Sequence, residues 1–255
     1  MSYQELIKTH RDTIIKNFEP ARCEENVFSE KELHDLTLYQ FQNADDFRWT
    51  NTSSNIQPIL NVTRLFEDFT WLQDKFESIL KHDFSQYHTG NYYITTQLHD
   101  AHVDLMTETE TKFDWAENLI PYKSCVIPLG ITAGAEAHTA FFKQRHIGTS
   151  VTFDRVGQSS QDKSMYEISR EYPKLERLDT PTLENTDYIF PHINEDNICD
   201  FDLEAVFPFQ PGNALVFDAC QLHASCVTRK RPNFNSLKTG INIQFYINTT
   251  GKINS

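Results

Sequence analysis

The segment NYYITTQLHDAHVDL, residues 91–105, opens as a run of aromatic and β-branched residues and ends in two histidines and two aspartates. Within it, His102-Val103-Asp104 has the H-x-D spacing of a metal site. On an extended backbone, residues i and i+2 project to one face, so an imidazole and a carboxylate stand side by side. Ten His and eighteen Asp in 255 residues give about 0.7 such matches by chance, so the pattern needs support from elsewhere. A second match, His10-Arg11-Asp12, lies in a helical pattern, where i and i+2 diverge by roughly 200°, and cannot chelate. Support comes from PGNALVFDACQLHAS, which reads as a turn, a strand over Ala214–Phe217, and His223 just beyond it. His223 alone would be an ordinary structural histidine. With His102 and Asp104 it completes a set of two histidines and one carboxylate, which occupies one face of an iron centre and leaves three positions open.

The last strand, LKTGINIQFYIN, adds a second feature. Thr239, Ile241, Ile243, Phe245 and Ile247 fall on one face, and Lys238, Gly240, Asn242, Gln244 and Tyr246 on the other. A polar face turned inward lines a site. Two neutral imidazoles and a carboxylate leave Fe(II) at net +1, which suits a chelating 2-oxo acid. The remote carboxylate of such an acid requires a buried cation, for which Lys238 is the choice. His99 and Asp100 stand beside the H-x-D pair without its i, i+2 geometry and read as supporting residues.

These residues need a scaffold, and the chain is long enough for one domain with a sizeable core. Three helices are expected in the first third: one over 3–18, stopped by Pro20; one from Ser29 through EKELHDLTLYQFQ, with Glu32 as capping-box partner; and one over 57–81, with a stripe of Leu60, Leu65, Phe66, Phe69, Leu72, Phe76 and Leu80. From residue 91 the runs become β-rich: NYYITTQL, YKSCVIPLGI, HTAFFKQ, EAVFPFQ, NALVFD and GINIQFYIN. Residues 149–202 form a polar, charge-mixed insertion, read as a lid. The expectation is a single domain over 1–255, with helical support in 1–85 packed on one face of a β sandwich or barrel.

The formal net charge of -13 argues against a nucleic-acid partner. The sequence carries neither an apolar span of membrane length nor the apolar core of a signal peptide, so a soluble, cytoplasmic protein is expected, with no membrane partner. Cys23, Cys125, Cys199, Cys220 and Cys226 are odd in number and lack CxxC spacing; they read as reduced, buried thiols, including the pair that flanks His223.

The order of elements, H-x-D, IPL, TAFF, a Pro-Gly turn, ALVFD, a distal His and a basic residue opening the last strand, resembles the Fe(II)- and 2-oxoglutarate-dependent dioxygenases. More loosely, the spread of HVD, IPL, TAFF and GNALVFDACQLHAS is similar to their prolyl-hydroxylase-like and phytanoyl-hydroxylase-like members. The resemblance covers roughly residues 91–250. It implies an α+β, mainly β fold with a double-stranded β-helix (jelly roll, cupin-like) core. It also implies iron held by His102, Asp104 and His223, and 2-oxoglutarate anchored by Lys238, with Tyr93 as a phenol that also touches this co-substrate. O2 is the second co-substrate, and ascorbate an accessory. The implied activity is hydroxylation of a small molecule or a peptidyl side chain, with release of succinate and CO2. Departures are Lys238, fifteen residues after the distal His where many members place Arg about ten or eleven after it, and Gly240 where Ser or Thr often stands. Arg229, Lys230, Arg231 and Lys143 are therefore alternative anchors. A different class is also open: a non-redox, cupin-like metal-binding module using the same residues.

Overall fold

The computed structural model describes residues 9–51, 56–62, 65–81, 88–95, 98, 99, 101–103, 119–132, 137–145, 151, 152, 190, 192, 193, 201–226 and 237–248. Among the described residues the helices fall in the first third. They are α1 (Arg11–Lys16), α2 (Glu30–Gln42), α3 (Leu65–Asp68) and α4 (Thr70–Leu80). The capping box at α2 forms as its sequence dictates: the Glu32 amide donates to Ser29 Oγ, and the Ser29 amide donates to Glu32 Oε2 at 2.8 Å. Two of the four amides left over at a helix start are thereby satisfied.

The strands are β1 (Arg22–Glu24), β2 (Arg48–Asn51), β3 (Ile56–Val62), β4 (His88–Thr95), β5 (His102–Val103), β6 (Leu119–Ile131), β7 (His138–Arg145), β8 (Val151–Thr152), β9 (Leu203–Pro208), β10 (Ala214–Asp218), β11 (Gln221–Cys226) and β12 (Lys238–Asn248). They form two sheets in which each pairing is antiparallel. The larger runs β1-β10-β6-β12-β4-β3-β2, and the smaller β8-β5-β11-β7-β9.

Two expectations are corrected. The helix over 57–81 is a strand followed by α3 and α4. Pro58 cannot sit in a helix interior, and Ile59 and Val62 prefer a pleated backbone. Pro58 lies in the half of β3 that pairs with β2 alone, since only Ile59–Val62 continue against β4. The first third is consequently not a purely helical support, because β1, β2 and β3 join the larger sheet. His223, expected just beyond a strand, lies within β11. Residues 1–8 of the first helix reading, and most of the 149–202 insertion, lie outside the described residues.

Period two decides which faces are buried, and against what. Ile241, Ile243 and Phe245 of β12 join Cys125, Ile127 and Leu129 of β6 and Tyr92 of β4 in a core closed by Leu36, Leu65, Phe66, Leu72, Phe76 and Leu80 from the helices. Helices α2, α3 and α4 therefore cover the outer face of the larger sheet. Its inner face brings Val126, Leu215 and Phe217 against Phe141, Phe207 and Phe209 of the smaller sheet and its flank. A third core, on the far face of the smaller sheet, gathers Ala101, Val103, Phe142, Leu222 and Ala224 with Ile14, Phe190 and Ile193. Among the described residues no helix is long and apolar enough to cross a membrane.

Truncating the cap by Ser29→Ala should cost about 1 kcal/mol in urea denaturation with an unchanged slope. Phe76→Ala, which removes a fully buried ring from the helix–sheet core, should cost about 3–5 kcal/mol in the same measurement.

Candidate metal centre

The site is assembled on the inner faces of both sheets. In β5 and β11, His102 and His223 are directly opposed Cα partners. Their apolar neighbours Ala101, Val103, Leu222 and Ala224 all enter the core on the other face, so alternation turns both imidazoles toward the sandwich interior. The ring centroids are 4.3 Å apart at an interplanar angle of 52°. His223 is 5% exposed and packs against Phe217 at 4.7 Å and Phe141 at 5.9 Å. His223 Nδ1 lies 3.0 Å from the Gln221 carbonyl oxygen. A carbonyl only accepts, so Nδ1 is the ring nitrogen that donates there.

Lys238 approaches from the opposite sheet. It is the first residue of β12, 6% exposed, and its Nζ donates to Ser225 Oγ at 3.3 Å, across the interior. The Phe209 ring centroid lies 5.7 Å from the same ammonium. Among the described residues no carboxylate pairs with it. Burial pushes its pKa down to about 8, because the charged form loses its water. Ser225 stands two residues after His223, so the hydroxyl that receives Lys238 shares a strand face with the imidazole.

Tyr93, on β4, lies opposite Gly240 of β12. A Cβ added at Gly240 would stand 2.6 Å from Tyr93 Oη and 2.8 Å from Cζ. The glycine is the space that the phenol ring occupies, and this accounts for a residue without a side chain where a Ser or Thr was expected. Tyr93 packs among the interior residues around Phe141 and Phe209. His99 joins the histidine group, with its ring 5.6 Å from that of His102. Its carbonyl accepts from the Ser225 amide at 3.0 Å and from His192 Nε2 at 3.0 Å.

The sequence reading thus places His102, His223, Lys238 and Tyr93 on the walls of one interior. Asp104, Asp100, Arg229, Lys230 and Arg231 lie outside the described residues, and among the described residues no three His, Cys, Asp or Glu side chains form a metal-holding group. Lys143 falls elsewhere, at an irregularity of β7. Its amide donates to the Asp202 carbonyl, and its own carbonyl accepts from Arg145. Burial holds the Cys220 and Cys226 thiols well above their usual range, Cys226 at about 12, so both stay protonated beside His223. Ser225 and Phe209 were not foreseen. Neither carries a sequence signal beyond its place on a strand or strand end. Buried Arg145, Lys123, Asp218 and Glu204 were also missed, although charged residues inside apolar runs such as ALVFD were the available clue.

No protein-family model matches the sequence, and no curated protein is similar to it. Solved structures are. The epimerase SnoN in complex with Fe3+, alpha ketoglutarate and nogalamycin RO aligns over 96% of this chain and 83% of its own, at 8% identity and a TM-score of 0.49. A Pseudomonas putida prolyl-4-hydroxylase aligns over 95% and 97%, at 8% identity and 0.42. EvdO2 from Micromonospora carbonacea var. aurantiaca complexed with 2-oxoglutarate aligns over 94% and 93%, at 12% identity and 0.41.

The ammonium of Lys238 should cost the apo fold stability. With a folded pKa of about 8 against 10.5 unfolded, the unfolded chain binds more protons between those values, so stability rises as pH climbs through that window. Replacing Lys238 by Met should therefore stabilise the apoprotein at pH 7 by about 3 kcal/mol, a gain that shrinks above pH 8 and vanishes near pH 10.5. Denaturation curves of both proteins across that range check the sign.

Proposed function

We propose that the chain is a double-stranded β-helix enzyme, an Fe(II)- and 2-oxoglutarate-dependent dioxygenase acting on a small molecule or a peptidyl side chain. The observation that carries this reading is the interior that opposes two imidazoles on one sheet to a buried lysine on the other that pairs with no carboxylate among the described residues. A metal cation and an anionic ligand satisfy both halves at once. The donor set fits iron: two neutral imidazoles in reach of one ion, with Asp104, two residues beyond His102, as the carboxylate. Iron bound there would supply the redox chemistry that couples conversion of 2-oxoglutarate and O2 to succinate and CO2 with oxidation of a substrate C–H bond.

The protein's own residues have separate tasks. His223 offers Nε2 because its Nδ1–H is held by the Gln221 carbonyl. Lys238, with Ser225 beside it, receives the far carboxylate of 2-oxoglutarate. Tyr93, seated over Gly240, adds a phenol to the same wall. Phe141, Phe209 and Phe217 exclude water, which strengthens the ion pair between Lys238 and its ligand. Hydroxylation of the substrate, R–H to R–OH, balances the second oxygen atom of O2, the first passing into succinate. The formal charge of -13 leaves nucleic acid outside the proposed substrate classes.

Succinate formation from 2-oxoglutarate by anaerobically prepared protein, given Fe(II), ascorbate and air, tests the activity. Turnover is expected in the wild type and absent in Asp104→Ala. A protein that retains metal yet neither binds nor consumes 2-oxoglutarate would instead be a non-redox metal-binding module. Lys238→Met should weaken 2-oxoglutarate binding by roughly 100-fold, since deleting one member of a buried charge pair costs about 3 kcal/mol. Calorimetric titrations of the wild type from pH 7 to 9.5 should show constant affinity below about pH 8 and a fall above it, as Lys238 gives up its proton. Affinity that is flat to pH 9.5 would remove Lys238 as the anchor.

A further inference from the structure

The smaller sheet is irregular where it carries His223. Along β11, Gln221 faces Arg145 and His223 faces Phe141, so two steps on β11 span four on β7. Between β7 and β9, Phe141 faces Ala205 and Phe142 faces Leu203, which leaves Glu204 with no opposite residue. Bulges of this kind detach backbone carbonyls from the ladder, and a buried carbonyl without a donor is costly. Here side chains replace the missing donors. Gln221 Nε2 donates to the Phe142 carbonyl at 2.9 Å, and Arg145 Nη1 donates to the Lys143 carbonyl at 2.6 Å. Gln221 Nε2 also donates to Glu204 Oε2, and Arg145 Nη2 reaches Glu204 Oε1 at 3.5 Å. Gln221 and Arg145 are both 0% exposed, so these bonds are not shared with solvent. The carbonyl of this same clamped Gln221 receives Nδ1–H of His223.

We propose that Gln221, held by Glu204 and the Phe142 carbonyl, is the positioning residue that sets the ring orientation and tautomer of His223. This rests on the reading of His223 as a metal ligand for its purpose, though not for its geometry. A glutamine side chain fixed at two points fixes its own backbone carbonyl, and that carbonyl selects the Nδ1–H form. Without it, the bulged stretch of β7 opposite β11 would lose one of its side-chain donors, and the imidazole its reference.

The test compares Gln221→Met, which keeps length but removes the amide, with Lys123→Met. Lys123 belongs to the same buried end of the sandwich, bonding Asp218 Oδ1 at 2.6 Å and the Asn17 carbonyl at 2.9 Å, but it bonds neither Gln221 nor the bulge carbonyls. Two readouts are taken on protein labelled with 15N-histidine: the His223 tautomer without metal, by NMR, and Co(II) affinity with its visible spectrum. The Nδ1–H form is expected in the wild type and in Lys123→Met, and is expected to be lost in Gln221→Met. Co(II) binding in Gln221→Met should be about 10- to 100-fold weaker, with an altered spectrum, and unchanged in Lys123→Met. If Gln221→Met does not fold, Glu204→Gln, which leaves Gln221 in place but removes the charge that holds it, should shift both readouts in the same direction. Retention of the Nδ1–H form in the Gln221 or Glu204 variant, or equal Co(II) losses in Gln221→Met and Lys123→Met, would overturn the proposal. Failure of the wild type to take up Co(II) would count against the metal reading, while the tautomer comparison would still decide the positioning role.

Discussion

The ammonium of Lys238 sits between two β sheets, where transfer from water is costly and the described surroundings offer a hydroxyl and an aromatic face. The alternation of β12 is what makes this possible. Its odd residues Ile241, Ile243 and Phe245 are committed to the helix-covered core, so the even residues that start with Lys238 must face the second sheet. A one-residue slip of β12 would bury the lysine under the helices and expose the isoleucines to the interior. The apolar core on one side of the sheet thus enforces the polar site on the other.

Charge is distributed unevenly along that interior. At one end, Arg145 and Lys123 meet Asp218 and Glu204, two cations against two carboxylates, all buried and hydrogen-bonded, with Asp218 accepting from Lys123 at 2.6 Å and from Arg145 Nε at 3.0 Å. That group is self-neutralised and also ties down the segment before β1, because Asp218 and Glu204 accept the amides of Glu19 and Ala21. At the other end, Lys238 has no such carboxylate among the described residues. On the proposed function an anionic ligand beside a histidine-bound cation completes the balance, and until it arrives the fold carries the cost of a charge with no carboxylate partner among the described residues. Stability and binding are opposed at this one residue.

Much of this was legible from local pattern. The capping box at Ser29, the β runs from β4 onward, and the two faces of β12 each depend on neighbours within a few residues, where periodicity and propensity act directly. The meeting of His102 with a distal histidine followed from their places on strands, while Asp104, the other half of the H-x-D pair, lies outside the described residues. The strand β3 was misread because Leu60 happens to continue the helical stripe that serves α3 and α4, while its pairing with β4 is a long-range fact. The strand character of QLHASC was missed although Gln221, His223 and Ser225 alternate with Leu222, Ala224 and Cys226: the run is short and lacks the β-branched and large aromatic residues that mark a strand. The ion network was invisible because Arg145, Lys123, Asp218 and Glu204 come from four strands, and long-range pairing, Asp218 opposite Lys123 together with the bulges of β7 and β9, brings them together. Gly240 could be noted but not explained until Tyr93 was seen to fill its place.

The most direct test of the central claim is an anaerobic titration of the Fe(II)-loaded protein with 2-oxoglutarate, followed by visible absorption, alongside His223→Ala. The account predicts a charge-transfer band that grows to one equivalent of 2-oxoglutarate in the wild type and is absent in the variant. Equal 2-oxoglutarate binding with and without metal, and no band in either protein, would contradict a single interior in which the two imidazoles and Lys238 serve the same ligand.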